Sequence, residues 1–282
     1  FKHNPGLALG IAAAGGALGQ GVIPFIVRLM ISEYDWRTAY FVLAVAYLII
    51  AVPLALAVKD PPSRKAVQTN VRVQTDPRYS LPPIEIMTWV CAAVIFCCIT
   101  MSMPIVHVVP LISDRGIAPE TAASVLLVLM LSGAAGRIAG GKFADLLGPL
   151  PTFMLASAGQ TILVIWFPHI DSMIGIYILA VAFGFAYSAD MVSIITCMRL
   201  MIPVHLAGRA IGLGTAFGMV GMGLGGYLGG ALYDLHGDYV WAFAAAALSG
   251  GINLLILSGL VLRLGMARRN ALLPENPRNA SI

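Results

Sequence analysis

Apolar and polar positions along this chain separate into long blocks. Apolar runs occupy residues 6–31, 38–58, 86–111, 120–142, 151–168, 173–198, 208–232 and 240–262. A hydrocarbon layer about 30 Å thick is crossed by about 20 helical residues at 1.5 Å each. The pattern therefore predicts eight spans and an all-α, polytopic helical bundle. Links such as Ser32 to Arg37 and Gly148 to Leu150 are too short to hold a domain. The insert Lys59–Glu85 carries Pro61, Pro62, Pro77, Pro82 and Pro83 among charges, without apolar periodicity, and reads as a linker. The blocks give two spans in 1–58, a central linker in 59–85, a six-span bundle in 86–264 and a polar tail in 265–282.

Composition agrees with a bilayer and removes other classes. The 282 residues are 59% hydrophobic and 11% charged, with a mean hydropathy of +0.88. Soluble domains run at about 45–50% apolar and about 25% charged. The cations then set the orientation, because Lys and Arg concentrate on the cytoplasmic side. With both termini inside, of 17 cations only Arg28, Arg37 and Arg115 fall outside. The outer links are acidic instead: Glu33, Asp35, Asp114, Glu120, Asp171, Asp234 and Asp238. The linker and tail are then cytoplasmic, and the expected location is the plasma (inner) membrane. Cys91, Cys97, Cys98 and Cys197 lie within apolar runs and lack metal-ligand spacing. With no nucleotide-binding loop and no Ser/His/Asp set, neither enzyme chemistry nor a cofactor is expected. Nucleic acid is not an expected partner.

The chain also echoes itself. Gly10, Gly16, Gly19 and Gly21 align with Gly212, Gly218, Gly221 and Gly223 at an offset of about 202 residues. Trp36-Arg37-Thr38-Ala39-Tyr40 then lies opposite Asp238 to Phe243. Spans one and two thus echo spans seven and eight in the same orientation, a parallel repeat of six spans such as secondary transporters use. On that repeat, four further spans belong on the N-terminal side.

The loop Gly136-Arg137-Ile138-Ala139-Gly140-Gly141-Lys142-Phe143-Ala144-Asp145-Leu146-Leu147-Gly148 resembles the signature loop of the major facilitator superfamily between its eighth and ninth spans. Pro5 to Gly10 with Gln20, Pro24 and Trp36-Arg37 is similar to the fifth span and its outer turn. Gly223 to Asp234 followed by Trp241-Ala242-Phe243 is similar to the eleventh span and the start of the twelfth. The resemblance implies a major facilitator fold lacking its first four helices, with these eight as spans five to twelve. The missing N-terminal spans would complete the bundle. His107-Val108-Val109-Pro110 before Asp114, and Phe183 to Asp190, resemble the oxalate/formate antiporter and monocarboxylate porter group. What this implies is a secondary active transporter of a small organic solute, a monocarboxylate or related organic anion, working by alternating access on a proton or solute gradient. A multidrug-type efflux carrier and a non-transporting, degenerate or sensor protein are the alternatives. Arg137 falls near the eighth-span arginine of monocarboxylate porters, with Gly133 where an acidic partner would stand. The span at 208–232 has no lysine, unlike oxalate carriers.

Asp190 is the one acid well inside a span, about 25 Å into its helix at 1.5 Å per residue. Intramembrane acids are expensive and tend to be functional. Asp190, Arg137, His107 and Tyr187 are the candidates for solute or proton coupling, and Arg137 is the leading partner for Asp190. Asp145, Arg199 and Arg209 end neighbouring cytoplasmic helices and are gate candidates, with Asp145 expected to meet Arg199. Gln20, Gln160, Ser193, Thr215 and Asn253 read as hydrogen-bonding links between helices. Small-residue rows at Gly15/Gly19, Gly133/Gly136/Gly140, Gly214/Gly218 and Gly221/Gly225/Gly229 allow close helix approach. The rows on span seven are expected to lack a partner and to face lipid.

Overall fold

The computed structural model describes residues 4–57 and 81–272. Among these residues eight long helices occur in order: α1 Pro5–Glu33, α2 Trp36–Ala57, α3 Pro83–Ser113, α4 Pro119–Leu147, α5 Pro149–Val164, α6 Met173–Leu200, α7 Val204–His236 and α8 Val240–Leu272. A 3-10 turn, Phe167–His169, extends α5. All eight are long and apolar enough to cross a membrane. The chain is a multi-pass helical bundle.

Helix ends depart from the apolar runs because proline and glycine set them. Proline at the first turn needs no backbone N–H, so α3 starts at Pro83, inside the stretch expected to be linker. Most of that linker, and the tail beyond Leu272, lies outside the described residues. Gly148 takes φ +94° between α4 and α5, which turns the chain in a link of one residue. At its far end α8 continues past residue 264 into the expected tail.

Helices α3 to α8 surround a core that includes Val90, Val94, Phe153, Phe167, Phe183 and Phe243. Phe167 packs edge-on to Phe183 at 5.6 Å and tilts against Phe243 at 5.7 Å, joining the C-terminal end of α5 to α6 and α8. Between lipid-covered helices packing must replace the hydrophobic drive, and close approach requires small residues. Gly136 faces the backbone of Phe185, and Gly184 faces that of Leu129, so α4 and α6 touch main chain to main chain.

Two glycine expectations are corrected. The row Gly218, Gly221, Gly225 and Gly229 is buried against Cys98, Ile95, Ser102 and His107 of α3, and Gly214 meets Met198 of α6. It is the opposite side of α7, with Gly208, Gly212 and Gly223, that stays exposed. On α1 the packed glycines are Gly6, Gly10 and Gly21, which face Gly141, Arg137 and Met130 of α4; Gly15 meets nothing. Sequence spacing identified the rows, but not which face each neighbour takes. Helix α2 lies against α1 and buries only Ala39.

Candidate functional site

The antiparallel seam between α1 and α4 carries the first polar site. Arg137 is 6% exposed, although it belongs to the loop motif at the C-terminal end of α4. Gly10 and Gly16 lack side chains where α1 crosses it, and a Cβ at Gly16 would sit 2.9 Å from the guanidinium. The guanidinium therefore enters the seam. It donates to the carbonyl of Ala13 at 2.6 Å and to the Gln20 side-chain oxygen at 3.1 Å. Tyr187 of α6 reaches the same Gln20 oxygen at 3.5 Å and also donates to Met130 Sδ at 3.1 Å. Both partners of Arg137 are neutral, and its Nε is buried without one. Among the described residues no carboxylate pairs with it. The position of a possible acid, Gly133, is filled by Ser188, whose hydroxyl lies where a Cβ would go.

Tyr187 and Met191 stand one turn apart on α6 and so share a face. Met191 lines an open apolar cleft of about 80 Å³ between α3, α6 and α7, with Val94, Cys98, Met198, Met219 and Met222. Thioethers are polarisable and adapt to varied apolar shapes.

Asp190 does not meet Arg137, and that expected pairing is corrected. Three residues beyond Tyr187, its carboxylate turns towards α3, α5 and α8. It accepts from Cys97 Sγ at 2.7 Å, from Ser157 Oγ at 3.0 Å and from Gln160 Nε2 at 2.9 Å. Asn253 of α8 donates to Ser157 at 2.8 Å. Asp190, Ser157, Gln160 and Asn253 are all 0% exposed. Cys97 points into this knot while Cys98, the next residue, lines the cleft.

His107 is buried and hydrogen-bonds through Nε2 to the Gly226 carbonyl at 2.9 Å, tying α3 to α7. Its ring tilts against Tyr239 at 5.5 Å. Asp145 does not meet Arg199. Its two oxygens accept from the backbone N–H groups of Gly6 and Leu7 at 2.8 and 2.9 Å, so it caps the N-terminus of α1 from another helix. Asn4, the residue at that cap, makes no side-chain bond of its own. The first N–H groups of a helix have no internal partner and favour an anion, which is why a carboxylate beats a guanidinium there. Arg199 and Arg209 are exposed. At the other end of the seam Arg28 pairs with Glu120 at 2.9 Å, a contact the sequence did not single out.

The sequence profile of the Major Facilitator Superfamily matches residues 1–222 and 88–280. The chain belongs to the Major Facilitator Superfamily. Its relatives there include Monocarboxylate transporter 13 of Bos taurus, 25% identical over 94% of this chain and 61% of that protein. MFS-type transporter 1 of Ophiocordyceps sp. (strain BCC 1869) is 26% identical over 76% of this chain and 47% of its own length. The Fujikurins efflux protein of Gibberella fujikuroi (strain CBS 195.34 / IMI 58289 / NRRL A-6831) is 27% identical, over 76% and 45%. The chain thus spans about half to three fifths of the relatives it matches. As a superfamily member with eight membrane-capable helices, it is a multi-pass membrane protein. Within this superfamily chain, Gln20 was read from sequence only as a link between helices. A lone amide in an otherwise small, apolar helix face was the available signal for its role beside Arg137.

Proposed function

We propose that this chain forms part of a secondary transporter for a small organic monocarboxylate, with Arg137 holding the carboxylate and the α3–α6–α7 cleft its apolar body. One observation carries the reading: a buried guanidinium whose partners are all neutral, with one donor to spare. A buried charge is normally paired, and an arginine presents a fork suited to a carboxylate. Gln20 and Tyr187 would flank the bound anion. Alternating access would open and close the α1–α4 seam, with Asp145 latching its inner end in an orientation that keeps both termini cytoplasmic. The energy source would be a gradient of protons or solute. The names of the mammalian relatives support the substrate class.

Direct binding tests this. The purified chain in detergent is titrated with short monocarboxylates and with their uncharged primary amides. Saturable binding of the acids, at least 10-fold tighter than of the amides, is expected. Equal affinities would remove Arg137 as the recognition element. A second reading, efflux of larger apolar compounds, draws on the four methionines of the cleft and the fungal efflux relative. It predicts tight binding of bulky neutral amphiphiles and none of small acids.

A further inference from the structure

We infer that the side-chain amide of Gln20 is a built-in stand-in for the solute's carboxylate, and that an anion binds by displacing it from Arg137. The inference rests on the proposal that Arg137 receives a carboxylate, and adds what fills that place beforehand. Two donors from different helices converge on a single oxygen, Gln20 Oε1. Arg137 Nη2 of α4 donates to it at 3.1 Å and Tyr187 Oη of α6 at 3.5 Å. Arg137 and Tyr187 are 6% and 1% exposed, whereas Gln20 itself is exposed. The two receiving groups are thus fixed among packed helices, and the side chain they hold is not.

The match between this amide and the guanidinium is incomplete. Nη2 and Nε share one edge of the guanidinium, an edge that can grip a carboxylate through two parallel bonds. An amide has one oxygen and serves only one of those two donors. Gln20 serves Nη2, and Nε is left buried without a partner. A buried donor without an acceptor is costly. A carboxylate offers a second oxygen in the same planar shape, so it can serve both donors and bring the missing countercharge. Arg137 Nη1 is held by the Ala13 carbonyl at 2.6 Å and takes no part in the exchange. The neighbouring positions leave the amide room to move. Gly16, one turn before Gln20 on the same face of α1, has no side chain, and a Cβ at Gly19 would meet only Ile23, at 3.9 Å. Gln20 can therefore swing aside, beside the anion, while α1 and α4 stay joined through Gly6, Gly10 and Gly21.

A site occupied by its own side chain binds more weakly than the same site left open, in proportion to the open fraction. Removing Gln20 should then tighten binding, the opposite of what loss of a ligand contact does. The purified chain in detergent is titrated with propionate and with propionamide, as wild type, Gln20→Ala and Gln20→Glu. Propionate should bind Gln20→Ala about 5-fold more tightly than the wild type. Gln20→Glu supplies a permanent carboxylate, so it should bind propionate at least about 10-fold more weakly and unfold at a higher temperature. Propionate bound equally or more weakly by Gln20→Ala overturns the inference, and so does undiminished binding by Gln20→Glu. A wild type that holds propionate and propionamide equally removes the Arg137 reading beneath it. A wild type that prefers propionate, with no gain in Gln20→Ala, leaves that reading standing and removes only the stand-in.

Discussion

Arg137 and Asp190 are both ionisable, both buried and both on packed helices, yet they are held in opposite ways. Arg137 lies between α1 and α4, two helices joined mostly through glycines, with exposed Gln20 and buried Tyr187 as company. It has more donors than partners. Asp190 lies inside the six-helix bundle, where Cys97, Ser157 and Gln160 donate to its carboxylate from two other helices. The difference teaches where each charge can act. A seam that depends on small residues can part and admit a ligand. A carboxylate enclosed by donors from neighbouring helices ties those helices together.

The contrast would break most visibly at Asp190. Asp190→Leu leaves Cys97, Ser157 and Gln160 donating into hydrocarbon, and a stability loss of about 4 kcal/mol is expected, read by chemical or thermal unfolding. A loss under 1 kcal/mol would show that the knot relaxes easily. Next in size comes Arg137→Gln. It should weaken carboxylate binding 10- to 100-fold, the worth of about 1.5–3 kcal/mol for a charged hydrogen bond, while the unfolding midpoint moves little. An equal loss of stability would make Arg137 a structural tie like Asp190.

How far the sequence reaches differs between these regions for a physical reason. The eight helices were legible because crossing a bilayer imposes a length of apolar run that almost nothing else needs. The signature loop, with Gly136, Arg137 and Asp145, fixed the superfamily. Partners were less legible. Arg137 and Asp190 are at similar depths on adjacent spans, which made them a plausible pair, but depth leaves the helix rotation open. Rotation is set by which glycine face meets which backbone: Gly136 and Gly140 go to α6, Gly141 to α1. Asp145 shows the same limit. Charge rules suggested Arg199, whereas the acid satisfies N–H groups that carry no letter in a sequence.

Asp145→Ala is the third and smaller perturbation. Removing a carboxylate cap costs about 1 kcal/mol, and it should loosen the inner end of the seam. A cysteine probe in place of Asn4 is expected to label several-fold faster in this variant. Unchanged labelling would mean the glycine contacts alone hold α1, and the latch would be discarded.

The smallest effect belongs to the other end of the same seam. Arg28 and Glu120 are 2.9 Å apart, but their side chains are 35% and 37% exposed, so solvent screens them. Exposed pairs contribute about 0.2–1 kcal/mol. Arg28→Glu should therefore cost under 1 kcal/mol, and the cost should shrink in 1 M salt, where the screening length falls to about 3 Å. The exchange Arg28→Glu with Glu120→Arg should recover most of it. If Arg28→Glu instead costs more than Asp145→Ala, the firm end of the seam is the outer one, and α1 would pivot from Glu120 and not from Asp145. The two single variants, compared in one unfolding series, decide which end moves first.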